Sequence, residues 1–267
     1  MDNVALVRAE LDKHTTSKEE RQELEAWADD ACISRYLRAR KNNVAQAIKL
    51  LRASLKWRVD FSVASLHAEE FPDEFAAGKM YVGGRDTQGR PVLITRKKAD
   101  AIQAGQHERY LRHLVFTLES TVAAMPPGVE QWVWIMDLQG YSRANSPPLS
   151  VSYATMKILA DHYPERLKTA FIVDAPSIFS FLWKALASFI DPVTKEKVKF
   201  VYSKDLRPAE APEDASGVAR EEAPATKPVE PSKPESKSVD DAFSPYASFY
   251  RTPYDEAAYR TFLTKRS

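Results

Sequence analysis

Residues 170–202 read AFIVDAPSIFSFLWKALASFIDPVTKEKVKFVY. Ala170 to Val173 is a short apolar run that stops at the turn formers Asp174 and Pro176, the pattern of a buried strand. Ile178 to Ile190 is too long for a second strand and reads as a helix. Asp191 as N-cap and Pro192 at the first helical position open a further short helix, and Val198 to Tyr202 returns as a strand. Two strands separated by helices are joined by a crossover rather than a hairpin. The stretch therefore predicts parallel strands in an α/β sheet whose faces are both covered.

The alternation extends upstream. Trp132 to Leu138 is an apolar strand, and Leu149 to His162 a helix between it and the strand at Ala170. Gln106 to Ala124 predicts a long helix closed by Pro126, Pro127 and Gly128. Before it, Met80 to Val82 and Pro91 to Thr95 flank a turn at 86–89 and read as two strands. The region before these strands is helical only. Ser17 with Glu20 forms a capping box for a helix through about Ala28; Asp29 or Asp30 starts a second, with Ile33, Tyr36 and Leu37 on one side. Asn43 caps a third, whose Ala47, Ile48, Leu51, Leu55 and Trp57 recur at near-helical spacing to about Phe61. The expected organisation is a helical module over 1–61 followed by an α/β domain over 62–206.

Residues 207–242 change composition to Pro, Ala, Glu, Lys and Ser, without the apolar content to form a core, and read as a disordered linker. Nine acids against five bases give that linker a charge of −4, so the rest of the chain, whose total is +1, carries about +5. After it, residues 243–267 form a tail rich in Phe and Tyr, which either docks back on the domain or engages a partner. The near balance of 38 basic and 37 acidic residues gives no global field for nucleic acid. Cys32 is the only cysteine, which excludes an internal disulfide and fits a reducing, cytoplasmic setting. The N-terminal residues contain neither a signal-peptide pattern nor a spanning apolar stretch, so membrane contact is expected to be peripheral.

A search for catalysis returns little. There is no Gly-rich phosphate loop, no nucleophile elbow and no zinc signature. The histidines at 14, 67, 107, 113 and 162 are scattered. Asp137 and Asp174 fall at strand ends, where α/β sites gather, but no nucleophile or metal partner lies near them in sequence, and loop bonding is the simpler role. The expectation is a binding protein with no metal and no catalytic residue.

Seven short strings, in order and in register, carry a resemblance: LRARK at 37–41, KWR at 56–58, GRPV at 89–92, MDLQG at 136–140, YPER at 163–166, AP at 175–176 and DPVTKEK at 191–197. Together they resemble the CRAL-TRIO family, in particular its phosphatidylinositol transfer branch, over roughly Asp29 to Tyr202. The resemblance implies a helical N-terminal module and a sheet that floors a hydrophobic lipid cavity closed by a movable gate helix. The gate matches Ile178, Phe179, Phe181, Leu182, Trp183, Leu186, Phe189 and Ile190; on sequence alone a helix apolar all round is as readily a buried one. Arg40, Lys41, Glu165, Thr194 and Lys197 match the positions that surround the inositol-phosphate headgroup. The physical chemistry agrees in part, since Thr194 offers a hydroxyl and Lys197 a charge one turn later. The alternative is that LRARK is a solvated helix face and that Glu165 pairs with Arg166 or a distant lysine.

Three further implications follow from the resemblance. Val82, Leu93, Trp132 and Trp134 stand where relatives that also carry phosphatidylcholine have hydroxyl side chains, and with Met136 they are expected to line the pocket. Loss of those hydroxyls argues against phosphatidylcholine and leaves a phosphatidylinositol carrier, or one whose second ligand is a flatter, less polar sterol or prenyl lipid. The glycine-containing element that the family carries after its last strand is replaced by the acidic linker. The expected partners are a phospholipid and, transiently, a membrane surface, with a lipid kinase as a candidate recipient of the headgroup and the chain a monomer. The competing readings are a carrier of a sterol, tocopherol-like or haem-like hydrophobe, and a non-transferring scaffold that recruits partners through its tail.

Overall fold

The structure, a computed structural model, describes residues 2–97, 105–187, 190–203 and 236–264. Four helices open the chain: α1 (Asn3–His14), α2 (Lys18–Trp27), α3 (Asp30–Ala39) and α4 (Val44–Asp60). The three caps read from this part of the sequence are all formed. Ser17 Oγ accepts from the Glu20 N–H at 3.1 Å, Asp29 Oδ1 from Cys32 at 2.6 Å and Asn43 Oδ1 from Gln46 at 3.0 Å. Each satisfies one of the donors that a helix start leaves open. Helix α1 was not part of the sequence expectation; it is held by Val7 and Leu11, both buried against a core built from Ile33, Tyr36, Leu51 and Leu55. Mixed charges on its outer side mask these two contacts in a composition-based reading.

A short helix α5 (Pro72–Ala77) leads into the sheet: β1 (Met80–Arg85), β2 (Pro91–Arg96), β3 (Trp132–Asp137), β4 (Leu167–Val173) and β5 (Val198–Val201). The strands lie in sequence order; β1 is antiparallel to β2 and the other three pairings are parallel. The crossovers run through α6 (His107–Ala123), α7 (Leu149–His162) and the pair α8 (Ser177–Ala187) and α9 (Pro192–Glu196). The α/β architecture expected from residues 170–202 is therefore present.

Strand alternation sorts the sheet into two faces. Register aligns Leu93, Trp134, Ala170 and Val198 in one row and Thr95, Met136, Ile172 and Phe200 in the next. Leu114, Leu118 and Ile158 from α6 and α7 pack with the first row. The opposite face carries Val92, Ile94, Val133, Ile135, Phe171 and Val173.

The sequence reading of 207–242 as a linker needs correction at its end. Helix α10 (Ser236–Phe243) starts inside that range and continues through a turn at Ser244–Tyr246 into α11 (Ala247–Arg251) and α12 (Glu256–Thr264). The rest of the proposed linker, 207–235, lies outside the described residues. The tail docks: Phe243, Tyr246 and Tyr259 are buried in the core cluster of the opposite face, where Phe243 meets Phe171 edge-on at 5.0 Å. Aromatic side chains carry the most apolar area per residue, so a short tail of Phe and Tyr can cover a sheet face.

Candidate functional site

Lys41 sits in the tight link between α3 and α4. Lys41 and Asn42 adopt left-handed backbone with φ of 52° and 61°. The link is closed by N–H bonds from Lys41 to Arg38 O at 3.0 Å and from Asn42 to Leu37 O at 2.8 Å. Left-handed backbone at a non-glycine residue costs roughly 1–3 kcal/mol and persists only where surrounding bonds fix it. Its result is to lift the Lys41 side chain off the helix into solvent. Arg40, half-buried, closes α3 and donates to Ala39 O at 3.0 Å.

Glu165 stands just before β4, also with left-handed backbone at φ 60°. Lys197 stands just before β5, its carbonyl accepting from Ala170 N–H and Thr169 Oγ1 at 2.9 Å each. Both residues thus occupy the amino-terminal edge of the parallel strands. Helix α3 reaches the same edge, because Arg35 and Arg38 bond Glu130 at 2.9 and 2.6 Å, directly ahead of β3. The neighbouring Gln131 side chain contacts Glu165 O at 3.4 Å. The fold therefore gathers the α3–α4 link, the start of β4 and the start of β5 at one end of the sheet.

The charges at this edge divide into two groups. Arg35 and Arg38 are paired with Glu130, while Arg166 donates to Glu130 O at 3.0 Å and to the Met125 sulfur. Burial, then repulsion from Arg35, pulls the Arg166 guanidinium down to about 10. The side chains of Lys41, Glu165 and Lys197, by contrast, make no hydrogen bond or ion pair among the described residues. The alternative in which Glu165 pairs with Arg166 is not what the structure contains.

Asp191 caps α9 through the Thr194 N–H at 2.9 Å, with Pro192 next, as the sequence indicated. Burial alone raises the Asp191 carboxyl, but the Thr194 side-chain and backbone bonds outweigh it and hold it below its ordinary value. Thr194 is half-buried one turn before Lys197.

The expected pocket wall is split. Leu93, Trp134 and Met136 share one face of the sheet, and the Trp134 indole N–H donates to Thr95 Oγ1 at 3.2 Å. Trp132 is fully buried, meets Tyr163 at 6.1 Å, and its indole N–H has no partner among the described residues. Val82 pairs with Leu93, yet beside the irregularity that ends its pairing it packs into the core cluster of the tail-covered face. Strand twist is strongest at such bulges and re-aims the side chain.

Helix α8 shows an inner and an outer apolar side. Leu182 is buried, Phe179 and Trp183 meet Phe200 of β5 at 6.5 and 5.7 Å, and Ile190 is buried beyond the helix. Leu186 is half-buried, and Phe189 lies outside the described residues. Outward, Phe181 is 78% exposed and Ile178 44%. A helix buried on all sides does not fit that exposure.

Sequence reasoning missed the junction beneath this edge. Arg58 of α4 binds Glu23 of α2 and grips Glu119 of α6 with two bonds of 3.1 and 3.0 Å, while the Tyr163 hydroxyl donates to Glu119 at 2.6 Å. Trp57 stacks on His162 at 3.9 Å, and Ser54 Oγ contacts His162 Nδ1 at 2.9 Å. KWR and YPER held Trp57, Arg58 and Tyr163 in plain view, but nothing local pairs them with positions some sixty and a hundred residues apart. Among the described residues no group of acidic, His and Cys side chains could hold a metal ion, and no helix is long and apolar enough to cross a membrane.

The CRAL/TRIO domain model matches residues 75–213 and the CRAL/TRIO N-terminal domain model residues 7–53. A CRAL-TRIO domain-containing protein of Schizosaccharomyces pombe is 36% identical over 174 residues, covering 65% of this chain and 17% of that protein. Phosphatidylinositol transfer protein PDR17 of Saccharomyces cerevisiae is 30% identical, covering 65% of this chain and 53% of its own. SEC14 cytosolic factor of Candida glabrata is 31% identical over 203 residues, covering 68% and 67%. The chain thus spans well under two thirds of the first two relatives. The crystal structure of Sfh5 superposes with a TM-score of 0.57 over 68% of both chains at 16% identity, a likeness of fold. Helical module, sheet order and matched domains agree: the chain belongs to the CRAL/TRIO family.

Proposed function

We propose that this protein binds one phospholipid, phosphatidylinositol fitting best, between the sheet and α8, and moves or presents it at membranes without changing it covalently. The observation that carries this reading is a set of charges at one sheet edge, Lys41, Glu165 and Lys197, whose side chains make no hydrogen bond or ion pair among the described residues, beside Arg35 and Arg38 paired with Glu130. Two cations and a carboxylate suit a phosphate bearing a polyhydroxylated ring: the lysines take the phosphate and Glu165 accepts from hydroxyls. Relatives named as a phosphatidylinositol and as a phosphatidylinositol/phosphatidylcholine transfer protein support the phospholipid-transfer class.

Outer apolar residues add a membrane contact. Phe181 and Ile178 of α8 stand exposed, as do Leu149 and Tyr153 of α7 and Val193 of α9, each at least 44% exposed. Scattered exposed apolar groups are ordinary, but five on three helices consecutive along the chain, the cover helix among them, suit a bilayer interface. At about 0.8 kcal/mol per methylene, two chains of roughly sixteen carbons gain on the order of 25 kcal/mol in bilayer or pocket alike. Exchange is then close to neutral, the protein's task is kinetic, and the headgroup sets specificity.

Lys41→Ala with Lys197→Ala is expected to abolish transfer while leaving the fold intact. Each charge-assisted bond lost is worth about 1.5–3 kcal/mol, so the pair costs roughly a hundredfold or more in affinity. Vesicle-to-vesicle transfer of phosphatidylinositol measured with circular dichroism tests it; undiminished transfer by the folded double variant removes these residues from the site.

A second reading, a carrier of a flatter hydrophobe such as a sterol, draws on the broad Trp134 indole, whose one polar group, the N–H, is already bonded to the Thr95 oxygen. Mass spectrometry of organic extracts from the purified protein separates the two.

A further inference from the structure

The residue that precedes the cover helix is held in an unusual way. Asp174 follows the last residue of β4 and is itself followed by Ala175, Pro176 and then α8. Its backbone is left-handed at φ 52°, in a residue that is not glycine. Three bonds fix it there. Its N–H donates to Val201 O at 2.9 Å, its Oδ1 accepts from the Ser203 N–H at 2.8 Å, and its Oδ2 accepts from the Tyr250 hydroxyl at 3.3 Å. The first two belong to the sheet and its exit. The third comes from the C-terminal tail.

The tail is anchored firmly at that point. Arg96, at the end of β2, donates to Tyr250 O at 2.7 Å and Thr252 O at 3.2 Å. It also binds Asp137 at 3.0 Å and lies over the Tyr250 ring at 5.6 Å. Burial, then the Asp137 and Asp174 carboxylates, pushes the Tyr250 hydroxyl up to about 12, so it remains a donor at neutral pH. Beyond Asp174, α8 is seated by ring contacts of Phe179 with Tyr141 and Phe200 and of Trp183 with Phe200.

We infer that the C-terminal tail sets the opening of α8, with the Tyr250 hydroxyl as the positioning group that holds Asp174 in its left-handed conformation. A strained residue at the foot of a helix persists only while its surroundings over-determine it. Remove the tail's bond and Asp174 relaxes toward ordinary backbone, turning Ala175, Pro176 and the helix with it. Tail and cover share one equilibrium, so whatever binds or displaces the tail changes how often the cover opens. The inference rests on reading α8 as a movable cover, and concerns its control rather than its ligand.

Hydrogen exchange on the full, lipid-free chain tests it. Tyr250→Phe removes one hydroxyl and is expected to speed exchange in peptides spanning 177–187 by about twofold to tenfold, the range one net hydrogen bond supports. Exchange in β3 and α6 stays unchanged. Tyr246→Phe is the matched control, since it removes a tail hydroxyl that donates to Asp86 at 3.1 Å, away from α8; it is expected to leave 177–187 unaltered. In an Asp174→Ala background Tyr250→Phe has nothing left to remove and adds no further acceleration. Equal effects of the two tyrosine variants, no effect of Tyr250→Phe, a rise that extends to β3, or additive effects with Asp174→Ala each overturn the inference. Because no lipid takes part, exchange that behaves as expected in a protein that transfers nothing leaves the tail's control standing and removes the transfer reading.

Discussion

Lys41 and Glu165 share a feature that neither charge nor motif announces: both hold left-handed backbone although neither is glycine. Strain of this kind collects where a fold aims a side chain. His113 and His162 are the reverse case, residues that look chemical and act structurally. His113 is buried among Phe71 and Phe75, and His162 is sandwiched between Trp57 and Ser54. Burial, ahead of any charge, lowers both imidazoles from 6.5 to about 4. The unfolded chain therefore takes up protons near pH 6.5 that the folded chain refuses until near pH 4. Stability is intact above the upper value and falls as pH drops through that window. Thermal unfolding followed from pH 7 to pH 4.5 is expected to show this fall, and a His113→Asn, His162→Asn variant to show a shallower one from a lower start. An unchanged slope in the double variant removes the two imidazoles as its source.

Helix starts were the most legible elements, because a cap is a local bond: Ser17, Asp29, Asn43 and Asp191 each bond the N–H three residues on. Helices α1, α5 and α10 to α12 were missed, since they are held by contacts with segments distant in sequence. The tail was recognised as aromatic, while its docking place depended on the sheet face it found. Gly78 records that place. It ends α5 at φ +58°, and a Cβ there meets the Tyr254 ring at 2.2 Å. Gly78→Ala therefore adds backbone strain of about 1 kcal/mol or more to a clash with the tail. The expected outcome is a lower thermal midpoint together with faster limited proteolysis within 244–264. Unaltered cleavage in a destabilised variant separates the backbone effect from the tail.

At the scale of the whole molecule, the helical module and the sheet domain are joined by charge as well as by packing. Arg58, 6% exposed, sits between Glu23 and Glu119 and lies over Trp27 at 4.9 Å. Burial works to lower its pKa, but the Glu119 and Glu23 carboxylates together outweigh it and raise the guanidinium above its ordinary value. Removing one member of a buried ion cluster leaves the others uncompensated and costs about 3–5 kcal/mol. Arg58→Ala is expected to lose that much and to split urea unfolding, followed by tryptophan fluorescence, into separate steps for module and sheet. A single transition at the original midpoint denies the junction this role.

The sequence by itself determined the order of strands and crossovers, the helix caps, the apolar character of α8 and, through seven strings in register, the family. Each of these is written in residues close together in the chain, where periodicity and capping act. Tertiary structure alone decided which charges find partners. It gave Arg35, Arg38 and Arg166 to Glu130, left the side chains of Lys41, Glu165 and Lys197 without a hydrogen bond or ion pair among the described residues, and brought Tyr250 to Asp174 ahead of α8. A charge carries no record in sequence of its distant partner. Only the folding of remote segments onto one edge of a sheet, driven by burial without direction, settles who meets whom.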